Sequence, residues 1–202
     1  MADRRPQTVD HRPGQGKVFV VSGPSGSGKT TLIDRVFKNP KLKRQLARSI
    51  SFTTRPKRAI EKQGAHYFFI SELKFQAARR AKKILEWTRY LGYYYATPKD
   101  RVDKYIAQGK PVVLCLDLKG ALKVKKLYKF RAVTIFVEPP SIKELRQRIK
   151  GRCQTDKKEI ALRLGLADKE LAAAKQYDYC ILNKNLEEAA RKLTGIILKE
   201  IA

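Results

Sequence analysis

The chain is poor in the residues that build disulfide frameworks and metal clusters. It has 3 cysteines, Cys115, Cys153 and Cys180, an odd number spread far apart, and 2 histidines, His11 and His66. These numbers argue against a disulfide scaffold, a zinc site and a histidine metal cluster. They favour a reducing compartment, and we expect a cytoplasmic protein.

Long apolar runs are also missing. No stretch of about 18 apolar residues occurs, so we expect no transmembrane helix. Residues 1–16 are polar, rich in proline and glycine, and lack the apolar block of a signal peptide, so we interpret them as a disordered leader. With 202 residues, of which 43% are hydrophobic, the chain suits one main domain with a sizeable core.

Acidic residues are scarce relative to basic ones. Asp and Glu number 19 against 45 Lys and Arg, which leaves a formal net charge of +26. Such a surface attracts nucleotides, nucleic acids and anionic membranes. A nucleotide site needs only a few of these cations, and no known RNA-binding module is present. We interpret most of the excess as solvated surface, with nucleic-acid binding only incidental and no membrane partner.

The clearest motif is the glycine-rich segment SGPSGSGKTT, residues 22–31, which contains G-x-x-x-x-G-K-[ST]. An apolar run over 17–21 precedes it and residues of helical spacing over 32–37 follow, so it lies between a predicted strand and a predicted helix. Backbone N–H groups of such a loop bind phosphate, Lys29 reaches the β- and γ-phosphates, and the Thr30 hydroxyl ligates Mg²⁺. The predicted triphosphate site comprises Gly23, Pro24, Ser25, Gly26, Ser27, Gly28, Lys29, Thr30 and Thr31.

The second half of the chain alternates between predicted strands and predicted helices. Strands over 112–116, 132–137 and 179–182 are separated by helices over 119–128 and 141–150, a loop over 151–155 and helical sequence over 156–176. A closing helix spans 186–201. This alternation predicts an α/β fold with a parallel sheet. Residues 49–97 interrupt it with an aromatic, antiparallel-looking block, which we interpret as an inserted lobe.

The inserted lobe has the residues of a second nucleotide site. Arg55 and Arg58 lie beside Ser51, and arginine with hydroxyl groups is suited to phosphate. Glu86 lies among aromatic residues, where a carboxylate can accept from guanine N1–H and the 2-amino group, a donor pair that adenine lacks. Singly, each residue has a plainer interpretation: the arginines as surface cations, Glu86 as a helix cap, Tyr67 and Tyr95 as core.

Several segments in fixed order resemble the guanylate kinases. They are SISFTTRPKR (49–58), GAHYFF (64–69), EW (86–87), GYYYAT (92–97) and LDLKG (116–120), followed by Arg148, Gly151-Arg152, Arg163 and Ile181-Leu182-Asn183. The likeness covers residues 17 to about 200. It implies an α/β, three-layer P-loop kinase fold with a parallel core sheet (17–48 and 98–202), an inserted GMP-binding lobe (49–97) and a helical lid (about 151–172).

The resemblance also implies an activity and a set of roles. The activity is Mg²⁺-dependent, reversible transfer of the ATP γ-phosphoryl group to GMP in purine nucleotide metabolism; acceptance of dGMP stays open, as does the choice between monomer and homodimer. The GMP site would consist of Ser51, Arg55, Arg58, Tyr67, Glu86, Tyr95, Thr97 and Asp117. The phosphoryl group in transfer would be neutralised by Lys29, Arg55, Arg148, Arg152 and Arg163. Asn183 would lie near the ATP adenine, and Thr30 would be the magnesium ligand.

One position departs from the family pattern. The family has two acidic residues in an Asp-x-Asp-x-x-Gly segment, whereas this chain has Cys115 at the first position and only Asp117 at the second. If the replaced carboxylate helps to hold Mg²⁺ through water, metal affinity or rate would be weaker here.

Three alternative functions remain open at this point. The chain could be a catalytically silent, guanylate-kinase-like protein-binding module, although such modules lose the phosphate loop that is intact here. It could be a related P-loop kinase with another acceptor. It could also be a basic nucleic-acid binder, with or without kinase activity.

Overall fold

Strands and helices alternate along most of the chain. The structure is a computed structural model and describes residues 16–152 and 157–202. The strands are β1 (Val18–Ser22), β2 (Ala47–Arg48), β3 (Phe52–Thr53), β4 (Phe68–Phe69), β5 (Ile84–Tyr90), β6 (Tyr93–Pro98), β7 (Val112–Cys115), β8 (Ala132–Glu138) and β9 (Tyr179–Leu182). The α-helices are α1 (Lys29–Val36), α2 (Pro40–Gln45), α3 (Glu72–Arg80), α4 (Lys99–Ala107), α5 (Leu118–Tyr128), α6 (Ile142–Arg152), α7 (Lys157–Ala172) and α8 (Leu186–Ile201).

A parallel sheet with the order β2-β7-β1-β8-β9 forms the centre of the molecule. Strand β1 lies in its middle, and all of its residues are buried. Its sequence, VFVVS, consists mainly of β-branched and aromatic residues, which suit a strand that is covered on both faces. The phosphate loop therefore starts from the most buried strand of the sheet.

Helices cover both faces of this sheet. On one face, Phe19 and Val21 belong to a buried cluster that includes residues of α1 and α8. On the other, Val18 and Val20 belong to a cluster with Val102 of α4 and residues of α5. Successive side chains of a strand point to opposite faces, so β1 alone divides its apolar residues between the two clusters. The result is three layers, and the predicted α/β fold class is confirmed.

A second sheet, with the order β4-β3-β6-β5, contains the residues that interrupt the alternation. Its β5–β6 hairpin is antiparallel and closes through Leu91 and Gly92, whose φ angles are +49° and +84°. Both φ values are positive, as a type I′ turn requires. Strand β3 pairs antiparallel with β6 but parallel with β4, which the antiparallel interpretation of this block did not foresee.

Helices α6 and α7 form a small hydrophobic cluster of their own. Leu145 and Ile149 of α6 are buried with Ala167 of α7. Helix α6 continues to Arg152, so the prediction of a loop from Gly151 was wrong at its first residues. The leader, apart from Gly16, and residues 153–156 lie outside the described residues. Within the described ranges, no helix combines the length and apolar character needed to cross a membrane.

Helix α3 ends in a Schellman motif that contains a non-glycine residue. The Lys83 N–H donates to Ala78 O at 3.0 Å and the Lys82 N–H to Arg79 O at 3.1 Å, while Lys82 has φ +54°. A left-handed residue at this position is strained unless it is glycine.

We predict that Lys82→Gly raises the free energy of unfolding by about 1 kcal/mol, because glycine relieves this strain. Urea unfolding followed by circular dichroism measures the effect. The matched control is Lys83→Gly, which lies next to it at negative φ and should lose stability. Equal effects of the two substitutions would contradict the prediction.

Candidate active site

At two glycines of the phosphate loop, neighbouring groups lie so close that they leave no room for a side chain. Gly23 has φ +137°, and a Cβ there would lie 2.4 Å from the carbonyl oxygen of Val137. Gly28 has φ +94°, and a Cβ there would lie 2.3 Å from Nδ2 of Asn183. Backbone that turns this tightly brings successive N–H groups toward a common point, which is how such loops bind phosphate.

The loop presents positive charge at the start of α1. The N-cap residue of this helix is Gly28, and no side chain caps the first turn. Its N–H groups and the helix dipole are thus directed at whatever anion the loop holds. The Lys29 ammonium donates to the carbonyl oxygens of Gly23 at 2.5 Å and Pro24 at 2.9 Å. These contacts hold the ammonium over the same loop.

A cavity of about 390 Å³ opens beside the phosphate loop; its lining residues are Gly26, Gly28, Thr31, Arg148, Asn183, Lys184 and Leu186. Asn183 is buried and donates from Nδ2 to the backbone oxygen of Ser27 at 2.7 Å. Arg148 pairs with Glu144 at 3.0 Å at the edge of the cavity. The volume is in the range of small-ligand sites. This places Arg148 and Asn183, both predicted from sequence, next to the phosphate loop.

Arg55 lies in the second sheet's region and is held by a carboxylate that sequence analysis did not identify. Its guanidinium donates to Glu61 at 2.7 Å and lies 5.7 Å from the ring centroids of both Tyr67 and Phe69. Glu61 also accepts the backbone N–H of Arg58 at 2.8 Å. Burial alone would raise the pKa of Glu61, but these two hydrogen bonds outweigh it and lower the pKa.

The Arg55–Glu61 pair sets the direction of the guanidinium. The Glu61 segment was interpreted only as a turn, and the single sequence signal for its role is an acidic residue within an arginine-rich stretch.

The other arginine of the predicted phosphate site, Arg58, differs from Arg55 because its side chain is exposed. Ser51 precedes β3, and its backbone oxygen accepts the Phe68 N–H at 2.9 Å.

Glu86 is a buried carboxylate at the other end of the same lobe. Glu86 is only 3% exposed, and its Oε1 accepts a hydrogen bond from the Thr97 hydroxyl at 2.6 Å. A Cβ on Gly120 would lie 2.7 Å from Oε2, so α5 packs against the carboxylate where it has no side chain. Asp117 accepts the Gly120 N–H at 2.8 Å. The structure thus brings Glu86, Thr97 and Asp117 together as predicted from the resemblance.

The ionisation of Glu86 is strongly affected by its surroundings. Burial raises the pKa of Glu86 to about 7; the hydrogen bond from Thr97 opposes this shift, and the nearby Asp117 charge adds to it. A buried carboxylate whose pKa lies near neutral pH is a candidate binding group.

Contacts between aromatic rings and one arginine connect the phosphate loop with the second sheet. Arg163 of α7 donates to Oγ of Ser25 at 2.8 Å, and its guanidinium carbon lies 5.6 Å from the Tyr90 ring centroid. The centroids of the Tyr90 and Tyr95 rings are 6.3 Å apart, and those of the Tyr95 and Tyr67 rings are 5.9 Å apart. A continuous set of contacts therefore joins the phosphate loop to the second sheet. Tyr90 was not identified from the sequence.

The residues at the expected metal position are one hydroxyl and one thiol. Thr30 is exposed at the start of α1, and its hydroxyl lies near the Cys115 thiol. Burial raises the pKa of the Cys115 thiol against the opposing charges of Lys29 and Arg48, so the thiol is neutral. Over the described ranges, no group of at least three His, Cys, Asp or Glu residues could hold a metal ion. Thr30 fits Mg²⁺, which prefers oxygen and takes its other ligands from phosphates and water.

One further carboxylate faces this region. Burial raises the pKa of Glu170, on α7, to about 7; Lys29 opposes the shift and Asp117 adds to it. Arg152 ends α6, and its side chain lies outside what the structure describes. Its predicted role therefore stays a prediction.

A phosphate loop on a three-layer α/β core, joined through Arg163 and the Tyr90 ring to a second sheet, is the arrangement of a P-loop kinase. The family model for guanylate kinase matches residues 15–200. The chain belongs to the guanylate kinase family.

Individual relatives agree with this assignment. The chain is similar to the guanylate kinase of Thermotoga maritima, with 41% identity covering 93% of this chain and 89% of the relative. It is also similar to that of Malacoplasma penetrans, with 40% identity covering 96% and 98%. A crystal structure of guanylate kinase from Anaplasma phagocytophilum superimposes with a TM-score of 0.77 at 28% identity, covering 93% of this chain and 87% of that one.

The raised pKa of Glu86 predicts a pH-dependent stability. Because its folded-state pKa of about 7 exceeds the ordinary value of 4.5, ionisation is less favourable in the folded state. The free energy of unfolding of the wild type therefore falls as pH rises between these values. Glu86→Gln removes this loss, so its stability relative to wild type should improve by on the order of 2 kcal/mol from about pH 5 to about pH 8.

Urea unfolding of both proteins at the two pH values checks this. The control is Glu61→Gln in the same lobe. Since the pKa of Glu61 is lowered, its stabilising contribution is already complete at the lower pH, and the control should be destabilised equally at both. A pH-independent difference for Glu86→Gln would refute the prediction.

Proposed function

We propose that this protein catalyses the Mg²⁺-dependent, reversible transfer of the γ-phosphoryl group of ATP to GMP, giving ADP and GDP. The observation that carries the proposal is the buried Glu86 carboxylate, which accepts the Thr97 hydroxyl and lies against Gly120 of α5. The relatives named guanylate kinase, at about 40% identity over nearly the whole chain, support the same reaction.

Glu86 would select the base. One carboxylate oxygen already accepts from Thr97, and the remaining acceptor positions suit the paired donors N1–H and 2-amino of guanine. Adenine presents an acceptor at N1, so binding it would leave a buried carboxylate unpaired. An unpaired buried charge or polar group is costly, and this difference is the basis of the discrimination.

The acceptor phosphate would bind at the other end of the lobe. Arg55 and Arg58 would supply the guanidinium groups and Tyr67 and Tyr95 the hydroxyls. Glu61 fixes Arg55 against the Tyr67 ring before any ligand binds, so less side-chain entropy is lost on binding. The exposed Arg58 would become ordered only with the phosphate.

Transfer would depend on positioning and positive charge. The GMP phosphate is already an anion at neutral pH, so no strong general base is needed. Lys29, Arg148 and Arg163 would stabilise the charge that spreads over the phosphoryl oxygens, with Arg55 on the acceptor side. The Arg163 contact with Ser25 places one of these cations at the phosphate loop. Arg152 would join this set.

The division of the chain follows from these roles. Residues 49–97 would be the GMP-binding lobe, residues about 151–172 the lid, and residues 17–48 with 98–202 the core. Closure of the lid excludes water from the phosphoryl group and limits ATP hydrolysis. Bound Mg²⁺, held by the Thr30 hydroxyl, would neutralise phosphate charge. Nucleic acid would bind only incidentally through the basic surface.

A coupled ADP-release assay with GMP, dGMP, AMP, UMP and CMP tests the function. We expect GMP to be preferred strongly, and Glu86→Gln to lower kcat/KM for GMP by about 10³-fold while leaving that for AMP little changed. The control is Glu72→Gln, an exposed carboxylate of the same lobe.

Each rival function predicts a different result. Turnover of another acceptor in preference to GMP would identify a different P-loop kinase. No turnover with any acceptor, combined with tight peptide binding, would identify a silent binding module. Unchanged base preference in Glu86→Gln would remove this residue from base recognition.

Cys115 gives a prediction for the metal. An ionised carboxylate next to the Thr30 hydroxyl would bring a negative charge to metal-bound water, which neither the neutral thiol nor a serine hydroxyl supplies. We expect Cys115→Asp to lower the Mg²⁺ concentration for half-maximal rate by about tenfold, and Cys115→Ser to leave it unchanged. Mg²⁺ titrations of the rate and of calorimetric ADP binding measure it. The same shift in both variants would contradict the explanation.

A further inference from the structure

The hydroxyl of Tyr90 is a buried polar group without a hydrogen-bond partner. Tyr90 is the last residue of β5, on the lobe that also contains Glu86. A buried hydroxyl that makes no hydrogen bond costs about 1–3 kcal/mol relative to one that does. Such a cost is normally avoided in a folded protein, so the position of this hydroxyl calls for a reason.

Strand geometry puts Tyr90 on the nucleotide-facing side of the sheet. Alternation along β5 places Glu86, Thr88 and Tyr90 on one face, opposite Thr97, Tyr95 and Tyr93 of β6. Glu86 and Tyr90 are four residue steps apart along the strand, a distance of about 13 Å. A nucleotide with its base at Glu86 and its phosphate at Tyr95 therefore points onward toward Tyr90.

Tyr90 lies where three parts of the site meet. Its ring is under the Arg163 guanidinium of α7, at 5.6 Å, and in edge contact with the Tyr95 ring at 6.3 Å. Its hydroxyl is beside Oγ of Ser25 in the phosphate loop, close enough to affect its pKa but without the geometry of a hydrogen bond. Ser25 Oγ instead accepts from Arg163 at 2.8 Å.

The Tyr90 hydroxyl stays protonated at neutral pH. Burial raises the pKa of Tyr90, and the neighbouring Arg163 charge and Ser25 hydroxyl only partly oppose this. A neutral phenol keeps its proton as a hydrogen-bond donor. The group beside the phosphate loop is therefore a fixed donor whose ring is held by Arg163 and Tyr95.

We propose that Tyr90 is a further catalytic residue: its hydroxyl donates a hydrogen bond to a non-bridging oxygen of the phosphoryl group during transfer. This inference rests on the proposed function. In the transfer, a GMP phosphate oxygen forms a bond to the γ-phosphorus while the bond from that phosphorus to the β–γ bridging oxygen breaks. Tyr90 keeps its proton throughout and stabilises the charge on the oxygen that it contacts.

The test is Tyr90→Phe, which removes the hydroxyl and keeps the ring. Tyr93→Phe is the matched control, because Tyr93 pairs with Tyr90 across the hairpin and is 39% exposed. We expect Tyr90→Phe to lower kcat by about 10- to 100-fold, with the separate Kd values of GMP and ATP changed by less than about twofold. Because the removed hydroxyl is unpaired, Tm should not fall. Tyr93→Phe should match wild type in all four measurements.

Other results would overturn the inference. A kcat for Tyr90→Phe equal to wild type would show that the hydroxyl has no role in transfer. A raised GMP Kd with kcat unchanged would place the hydroxyl in ground-state acceptor binding. If Tyr90→Phe lowered Tm, and the fall in activity matched a fall in the amount of folded protein, the hydroxyl would have a structural role. Failure of wild type to turn over GMP overturns the proposed function itself, whereas an active wild type with an unaffected Tyr90→Phe overturns only this inference.

Discussion

Repulsion between two phosphate groups is the constraint on which the rest of this structure depends. Two unit charges of the same sign at 4 Å repel by about 4 kcal/mol at an effective dielectric constant of 20, and two nucleotides bring more charge than that. In the proposed reaction, fixed positive groups would surround the point where the two phosphates meet. Lys29 lies over the phosphate loop, Arg163 reaches the same loop from α7, and Arg55 approaches from the second sheet. Each comes from a different element, so the site is complete only when the elements are assembled.

Buried carboxylates divide into two kinds according to their partners. Glu61 has the Arg55 guanidinium and a backbone N–H, so its pKa is lowered and it serves to direct a cation. Glu86 has no arginine partner among the described residues, and its burial, with the Asp117 charge nearby, outweighs the hydrogen bonding from Thr97 and raises its pKa to about 7. Keeping such a group buried is unfavourable for stability, and a ligand with two donors would compensate it. In the proposed function, the group that recognises the base would therefore also lower the stability of the free protein.

Burial also decides the charge of Cys115, which lies near Thr30 at the expected magnesium position. A carboxylate beside Lys29 and Arg48 would be ionised, whereas burial keeps the thiol neutral. The chain therefore has less negative charge near the expected magnesium than the family pattern provides. Tyr90 adds a neutral donor beside Ser25 and Arg163. Burial raises the pKa of both the Cys115 thiol and the Tyr90 hydroxyl, so neither group adds negative charge beside the phosphate loop.

The sequence by itself determined the elements that depend on neighbours along the chain: the apolar β1, the glycines of the phosphate loop, and helix α8 with strand β9 at their predicted bounds. It also placed Glu86 and Arg55 in one lobe, through motifs in fixed order. Only the tertiary structure decided the Glu61–Arg55 pair, the parallel β3–β4 pairing and the meeting of Tyr90 with Arg163, which is 73 residues away in the chain. The reason is physical: local spacing fixes backbone conformation and strand periodicity, whereas burial, ion pairing and a hydrogen bond left unmade depend on which distant segments pack together.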